Sequence, residues 1–491
     1  MNKNLLLYIA SLVIIGAGIL FLFELGSRLN KAAALPVNQA EIAPRSPAPA
    51  QAGESATVLT QIGKALRENL RSSLSLLLLQ IIVIIIVARL FGSLFLKVGQ
   101  PAVIGEMVAG ILLGPSLLGM VSPATLSFLF PEPALATLQA LSQIGVILFM
   151  FTVGMEFHAQ HLREKAQAVF IISQASIIIP FFLGVTLALV MYRPFAPPNV
   201  SFMAFALFIG IAMSITAFPV LARIVEERRL SKTYIGTTAI ACAAVADVSA
   251  WCLLALVVAI SKAEGLSASL LPIALSLLFI AAMIFVIKPP LERIISRRVE
   301  DVKRSKALVA GVVAFVFACA WFTEIIGVHA LFGGFLAGVV MPAVAGFRPF
   351  LKERLETFSS AVLLPLFFAL TGLRTQVTLL NDWQSWLTGA GVIAVAIVGK
   401  LGGSMLAARW AGMRWRESFS IGALMNTRGL VELIVLNIGY ELGILDGRIF
   451  AIMVLMALVT TCMTGPLLSL AQAEKEAEAT QAVSPAGRVE S

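Results

Sequence analysis

Apolar runs of about 20 residues recur along the chain, each long enough for an α-helix to cross a bilayer. They constrain the fold strongly, because backbone groups inside lipid must be satisfied within a helix or a closed barrel. Hydrophobic residues make up 59% of the 491 residues and charged residues only 13%, and the mean hydropathy is +0.94. These values exclude an ordinary soluble protein, so we predict an all-α polytopic membrane protein.

The apolar runs predict about 14 transmembrane helices and four parts of the chain. The parts are an extra N-terminal transmembrane helix (1–26), a periplasmic linker with a candidate interfacial helix (27–72), a domain of about 13 helices (73–470) and a short cytoplasmic tail (471–491). For the first apolar run, a cleaved signal peptide is the alternative, because AAA at 32–34 resembles a cleavage site.

Basic loops alternate with loops poor in Lys and Arg along the whole core. The basic ones are 158–165, 227–232, 288–306, 347–354 and 408–417. By the positive-inside rule they are cytoplasmic, which places both termini in the cytoplasm and the protein in a cell inner membrane, in contact with lipid. The same loops account for the net charge of +9, so we expect no nucleic-acid partner.

The two halves of the core resemble each other in three places, in the same order. VIGEMVAGILLGPSLLG (103–119) matches VHALFGGFLAGVVMP (328–342), and ILFMFTVGMEF (147–157) matches LLPLFFALTGLRT (363–375). SITAFPVLARIV (214–225) matches MNTRGLVELIVL (425–436). Matching spans are an odd number of spans apart, so the second half runs inverted. Inverted repeats with paired discontinuous helices are typical of secondary transporters, and we expect two crossing discontinuous helices.

Asp247 and the break in the preceding span predict an ion site. Ser214, Thr216 and Pro219 interrupt an apolar run at membrane depth, and Asp247 lies in the middle of the next span. A broken helix is tolerated there where its backbone lines a protein-enclosed cavity. A carboxylate near a helix centre costs about 2.5–3.5 kcal/mol to insert, so it usually faces a cavity or a partner. An Asp that is hydrogen-bonded only for packing is the alternative.

A buried carboxylate can hold a proton or a metal cation but not both well, and this competition is an exchange mechanism. The transported Na⁺ or K⁺ would need further oxygen ligands. Ser214, Thr216 and the carbonyl groups freed by the break could supply them. We expect the breaks at 214–219 and 425–429 to cross beside Asp247.

Three other charged residues lie inside spans. Lys400 follows VIAVAIVG and precedes two glycines; it could neutralise Asp247 or offset the negative C-terminal ends of the broken helices. A lysine that extends to the cytoplasmic surface is the alternative. Arg428 and Glu432 share a helical face, and we favour a self-neutralising pair that holds the second broken helix over direct ion contact.

Three titratable residues near span ends are weaker candidates. Glu156 and Glu106 could line a cytoplasmic entry, or could be ordinary solvated acids. His329 could tune the response to pH, although a surface histidine is the default. The four cysteines lie in apolar segments without metal spacing, and no nucleotide-binding or HExxH motif is present. We therefore expect a protein that is not an enzyme and needs no cofactor.

The motifs together resemble the monovalent cation:proton antiporter-2 family of the sodium/proton antiporter superfamily, especially its plant cation/proton exchanger branch. The resemblance covers roughly residues 74–470 and rests on segments 100–119, 148–157, 214–227, 364–375 and 425–439 together with Asp247. It implies a homodimer with a fixed dimerisation domain and a moving core. It also implies that Asp247 carries the cation and the proton, that Lys400 is the lysine of electrogenic members and that Thr216 lies in the unwound part of the first broken helix.

This sequence departs from the family pattern at two positions. Ala246 stands where the family has the first Asp or Asn of a pair, so Lys400 lacks its usual carboxylate partner. Ala217 stands where some members have an acidic residue. The sequence thus predicts a cation/proton antiporter; a potassium efflux channel-like protein and a transport-inactive membrane sensor are the alternatives.

Overall fold

A computed structural model describes residues 14–25, 69, 72–156, 166–230, 233–262, 266–297, 306–326, 329–344 and 346–483. Most of the predicted linker, the loop at 158–165 and the last residues of the tail lie outside this part. Ten of the described helices are long and apolar enough to cross a membrane. The all-α polytopic fold is confirmed, whereas the count of about 14 spans stays a prediction.

The helices follow one another with short connections. The first half contains α1 (Ile14–Leu25), α2 (Ser73–Lys97), α3 (Ala102–Leu113), α4 (Leu118–Val121), α5 (Pro123–Leu129), α6 (Glu132–Glu156), α7 (Ala166–Phe195), α8 (Phe202–Ser214), α9 (Phe218–Glu227) and α10 (Tyr234–Lys262). The second half contains α11 (Leu266–Ala281), α12 (Lys288–Arg297), α13 (Lys306–Ile326), α14 (Ala330–Val339), α15 (Phe347–Phe358), α16 (Leu364–Arg374), α17 (Trp383–Ile397), α18 (Gly403–Trp410), α19 (Trp415–Met425), α20 (Leu430–Glu441) and α21 (Gly447–Val483).

Two predicted basic loops are partly helical, which corrects the sequence analysis. A π-helical turn at 282–287 joins α11 to α12, and another at 359–363 joins α15 to α16. Charged side chains are tolerated in these extensions because several form pairs one helical turn apart, such as Lys352 with Glu356 at 3.5 Å. Residues 347–354 are therefore helix rather than loop.

The two discontinuous helices are confirmed. The first consists of α8 and α9 with residues 215–217 non-helical between them, and the second consists of α19 and α20 around residues 426–429. Gly429 makes the second break possible, because its φ of 156° and ψ of −126° lie in a region that is essentially restricted to glycine.

The described helices pack in two groups. The scaffold group contains α2, α3, α6 and α13–α16, and the ion-site group contains α7–α10 and α17–α21. α11 lies between them, against α10 and α13. The groups meet mainly where α16 touches α20, where α3 touches α21 and at the turn 377–379. This arrangement leaves a boundary between the groups that runs beside the first broken helix.

Glycines hold the scaffold group together in a pattern that follows the internal repeat. A Cβ on Gly110 of α3 would lie 2.6 Å from the Ala369 Cα of α16, and one on Gly338 of α14 would lie 2.1 Å from the Phe151 carbonyl oxygen of α6. Both contacts leave no space for a side chain. The helix with the Ala-Gly pair in each half therefore packs on the Thr- and Gly-containing helix of the other half, which ties the two repeats together.

Candidate ion-binding site

The two breaks contact each other. The Ala217 backbone N–H donates to the Thr427 carbonyl at 3.0 Å. The Thr216 hydroxyl donates to the Met425 carbonyl at 3.3 Å, which satisfies a backbone group at the C-terminal end of α19. Each break thus supplies partners for backbone groups that the other leaves outside a helix, as membrane depth requires.

Asp247 lies in the middle of α10 and is almost completely buried, with 2% of its surface exposed. Neither carboxylate oxygen has a hydrogen-bond partner among the described groups. The backbone amide of Phe218, at the start of α9, lies close enough to act on the carboxylate, and so does the charge of Lys400. The N-terminal end of a helix carries partial positive charge, so α9 favours an anion at Asp247.

Lys400 is fully buried in a π-helical turn between α17 and α18. Its Nζ donates to the Ser176 carbonyl of α7 at 2.7 Å and to the carbonyl of Ser214, the last residue of α8. These contacts correspond to one of its two predicted roles, compensation of the negative end of a broken helix.

Arg428 is also fully buried, and it lies in the second break. Its guanidinium donates to the carbonyls of Ala212 at 2.9 Å and Met213 at 2.7 Å. It also pairs with Glu432 at 3.2 Å, in a contact where neither side chain is exposed. The pair is therefore more than self-neutralising, because Arg428 and Lys400 together bind the last three carbonyls of α8.

Three threonines of α21 support the second break, and the sequence analysis missed them. The Thr461 hydroxyl accepts from the Arg428 N–H at 3.0 Å and lies 2.8 Å from the Arg428 carbonyl. Thr460 accepts from Asn426 through its carbonyl at 3.3 Å, and Thr464 contacts Thr427 at 3.4 Å. The available signal was the run TTCMT inside an otherwise apolar span.

The two predicted hydroxyl ligands have different surroundings. The Ser214 hydroxyl lies 2.7 Å from the carbonyl oxygen of Gly210, in its own helix, and 3.0 Å from that of Ile177 in α7. Thr216 lies in the break itself and is 1% exposed. The structure therefore brings Thr216 into the non-helical segment and leaves Ser214 at the end of α8.

Glu106 lies at a cavity of about 510 Å³ between the two helix groups. It is 4.0 Å from Arg89 of α2. The cavity lining also includes Thr152 of α6 and Val220 of α9, and Val220 is two residues from Phe218. The cavity therefore extends toward the first break from the end of the molecule that carries α15.

The other two weaker candidates lie away from the breaks. His329 precedes α14, where its Nδ1 accepts from the Leu331 N–H at 3.4 Å, and it lines a small cavity of about 30 Å³. Glu156 is the last residue of α6, and its side chain lies outside the described part. Neither residue is shown beside Asp247.

The site offers one buried carboxylate on α10, next to a break whose hydroxyl and carbonyl groups are oxygen donors. Hard monovalent cations take such oxygen ligands, whereas transition metals favour His and Cys. Among the described residues, no three His, Cys, Asp or Glu side chains form a group that could hold a metal ion. Crossed discontinuous helices around such a carboxylate define a secondary ion transporter.

Comparison with known proteins agrees with this class. The model of the family "Sodium/hydrogen exchanger, transmembrane" matches residues 81–471. The Na⁺/H⁺ antiporter NhaS4 of Synechocystis is 42% identical over 398 residues, which cover 81% of this chain and 97% of that protein. The chain therefore belongs to the sodium/hydrogen exchanger family. The predicted family and cation/proton transport, rather than an enzyme, are confirmed at this level.

Longer eukaryotic relatives match over the same region. The cation/H⁺ antiporter 17 of Arabidopsis thaliana is 42% identical and the K⁺/H⁺ antiporter 1 of Saccharomyces cerevisiae is 35% identical, over 81% and 82% of this chain. The chain spans 48% and 47% of their lengths. The sodium proton antiporter MjNhaP1 of Methanocaldococcus jannaschii has the same fold, with a TM-score of 0.59, 14% identity and coverage of 81% of this chain and 98% of that chain.

Proposed function

We propose that the protein exchanges a monovalent cation, Na⁺ or K⁺, for H⁺ by alternating access, and that both ions compete for Asp247. The observation that carries the proposal is a buried carboxylate without a hydrogen-bond partner among the described groups, beside two broken helices. The names of the relatives include Na⁺/H⁺ and K⁺/H⁺ antiporters, which supports both cations as candidates.

In the proposed exchange step, the cation and the proton replace each other at one carboxyl group, that of Asp247. A cation that arrives through the cavity binds the Asp247 carboxylate as the proton leaves to water, and the neutral pair then moves to the other face. There the cation leaves and a proton takes its place. Thr216 and the carbonyls of the break complete the oxygen shell, and Ser214 stays a weaker candidate. The Asp247 carboxylate thus carries one cation in one direction and one proton in the other.

The surrounding charges support this role for Asp247 rather than for its neighbours. Glu432 already pairs with Arg428, and both cationic side chains bind carbonyls at the end of α8. Those contacts occupy the negative end of the broken helix, so that a mobile cation finds its counter-charge at Asp247. The positive end of α9 stabilises the negative charge on the carboxylate once the proton leaves.

The surroundings of the transporter follow from the charge pattern and from exposed apolar faces. We propose an inner-membrane protein with both termini in the cytoplasm, because the basic loops alternate along the core. Exposed apolar residues follow one face of α2 at four-residue spacing, from Leu74 to Leu94. Such a face suits lipid, and the family resemblance supports a homodimer. Glu106 and Glu156 stay the candidates for a cytoplasmic entry, and His329 stays the candidate for tuning the response to pH.

The first prediction concerns Asp247→Asn, which keeps the shape of the side chain and removes its charge. In liposomes with a trapped pH dye and an imposed proton gradient, added Na⁺ or K⁺ should release protons from the parent protein. The variant should show no cation-dependent response and should unfold at the parent temperature. An Asp247→Asn protein that exchanges at the parent rate would refute the central role of this carboxylate.

Asp382→Asn is the matched control. Asp382 caps α17 by accepting from the Ser385 N–H at 3.1 Å, and Asn is as good a cap as Asp. Hydrogen bonding from the Ser385 side chain holds the pKa of Asp382 below its usual range, so this surface carboxyl is also charged at neutral pH. The control therefore removes one carboxylate far from the breaks, and exchange should continue.

A further inference from the structure

The boundary between the two helix groups is open at one end. The cavity of about 510 Å³ has walls from α2, α3, α6, α15 and α16 of the scaffold group, and Val220 and Ala222 of α9 form its wall on the ion-site group. We call this the open end of the boundary. The cavity thus reaches the half-helix α9, whose first backbone amide, that of Phe218, acts on Asp247.

The opposite end is closed by side chains. α16 begins at the cavity, which Leu364 and Phe368 line, and ends at Arg374. With a rise of about 1.5 Å per residue, Arg374 lies roughly 15 Å along the helix from Leu364. α6 follows the same path, from Thr152 at the cavity to Gln139 near its other end. Arg374 and Gln139 therefore mark a second end of the boundary.

Hydrogen bonds cross from the scaffold group to α20 of the ion-site group at this second end. Arg374 donates to the Glu441 carboxylate at 2.9 Å and to the Asn437 side-chain oxygen at 2.7 Å. Gln139 donates to the same Glu441 oxygen at 2.7 Å. Asn437 in turn donates to the Thr371 hydroxyl at 2.9 Å. Two helices of the scaffold group are thus bound to one helix of the ion-site group.

This network is well placed to control access. The Arg374 and Glu441 side chains are only 18% and 29% exposed, so their contact is partly shielded from screening by solvent. The guanidinium also lies 5.8 Å from the centre of the Tyr440 ring. The network residues themselves line the small cavity of about 30 Å³, together with apolar residues such as Val146 and Leu370. So small a volume leaves little room for a hydrated ion.

We propose that Arg374, Glu441, Asn437 and Gln139 form a latch that keeps this end of the boundary closed, and that exchange requires the latch to open. The inference rests on the alternating access proposed above. The latch belongs to the state whose cavity is open at the other end, so it must break whenever Asp247 faces the opposite side. Weakening it shifts the population toward that state, because a conformational equilibrium moves with contacts that only one state makes.

Cysteine accessibility tests the latch without relying on transport. Val146 is 1% exposed and lines the small cavity at the network. Val146→Cys places a thiol at this position, in a background with the four native cysteines replaced. A membrane-impermeant maleimide should label it slowly in the parent and on the order of tenfold faster after Arg374→Ala, the scale of a typical coupling. In Arg374→Ala with its native cysteines, amide hydrogen exchange in α20 should also be faster than in the parent.

Arg448→Ala is the matched control. Arg448 lies 4.0 Å from Asp446 and 5.8 Å from the centre of the Phe195 ring, so both contacts stay within the ion-site group. It removes an arginine and an ion pair without touching the boundary between the groups, and labelling should stay at the parent rate. Equal labelling in Arg374→Ala and the parent would overturn the latch.

Cross-linking gives the converse test. In the same cysteine-free background, Gln139→Cys and Glu441→Cys allow the two positions to be joined by a short bifunctional methanethiosulfonate. The cross-link should stop exchange, and a reductant should restore it. Continued exchange by the cross-linked protein would also overturn the proposal. If no cation drives exchange in the parent but labelling still rises in Arg374→Ala, the latch stands and the proposed transport function fails, so the two failures are distinguishable.

Discussion

Four charged side chains are buried around the breaks, and three of them besides Glu432 have separable roles at the residue scale. Asp247 lacks hydrogen bonds from described groups, whereas Lys400 and Arg428 bind backbone carbonyls. A buried charge is costly unless it is paired. The two cations meet this requirement through the end of α8. In the proposed exchange, the Asp247 carboxylate meets it with the transported ion.

Lys400→Met tests whether the lysine acts on the helix end or on the exchange step. The variant keeps an apolar side chain of similar length but leaves the Ser176 and Ser214 carbonyls without their donor. An unsatisfied buried group costs about 1–3 kcal/mol, so thermal unfolding in detergent should shift to lower temperature. Exchange per folded molecule should fall by less than about tenfold, which is about 1.4 kcal/mol.

The contrast with Asp247→Asn makes this result interpretable. The Ala246 side chain offers Lys400 no carboxylate, and the ammonium is held by carbonyls instead. If Lys400→Met abolished exchange while the unfolding temperature stayed at the parent value, the lysine would belong to the transport step and its structural role would be wrong.

The internal repeat gains a physical meaning at the element scale. Gly154 and Gly338 meet between α6 and α14, and Gly110 and Gly372 meet between α3 and α16. A Cβ on Gly338 would lie 2.9 Å from the Gly154 Cα, and one on Gly372 would lie 2.5 Å from the Gly110 Cα. Each pair joins one half of the chain to the other. Both contacts use glycines that matched in the internal repeat, so the repeated positions are also the positions at which the two halves pack.

Gly338→Ala should weaken the scaffold group. The added methyl would lie 2.1 Å from the Phe151 carbonyl oxygen, which belongs to a backbone that cannot rotate away. Overpacking of this kind costs about 1–3 kcal/mol, so the unfolding temperature in detergent should fall. Gly311→Ala is the control: nothing lies within 4 Å of its Cβ, and alanine in a helix should stabilise by up to about 1 kcal/mol. Equal unfolding temperatures for both variants would show that the α6–α14 contact is loose.

The sequence predicted the elements better than their ends and contacts. Hydropathy located the spans, and polar interruptions located both breaks. Both signals are clear because polar residues are rare within a segment that crosses lipid. Helix extensions such as Phe347–Phe358 were missed since a charged, amphipathic helix outside the bilayer resembles a loop in hydropathy. The burial of Asp247 was predictable from the apolar segment around it, and its role as ion site stays a prediction. The binding of Arg428 to α8, by contrast, depends on a contact 216 residues apart in the chain.

At the scale of the whole molecule, the structure shows one state, in which the boundary between the two helix groups is open at one end and closed at the other. The cavity beside α9 gives the open end, and the contacts of Arg374 with α20 give the closed end. Opposite connections to the two faces require the groups to move relative to each other, and the boundary is suited to this because few helices cross it. The glycine contacts, by comparison, lie inside the scaffold group and can stay fixed.

A cation that binds the folded protein should stabilise all of it, which allows the ion to be identified without transport. A ligand at 100 times its Kd stabilises the native state by about 2.7 kcal/mol. The preferred cation should therefore raise the unfolding temperature of the parent in detergent, measured against N-methylglucamine at equal ionic strength. If protons compete with the cation for Asp247, as proposed, the shift should shrink as the pH falls, and Asp247→Asn should show none. A shift that is equal for Na⁺, K⁺ and N-methylglucamine, or one that survives in Asp247→Asn, would mean that the cation acts elsewhere than at this carboxylate.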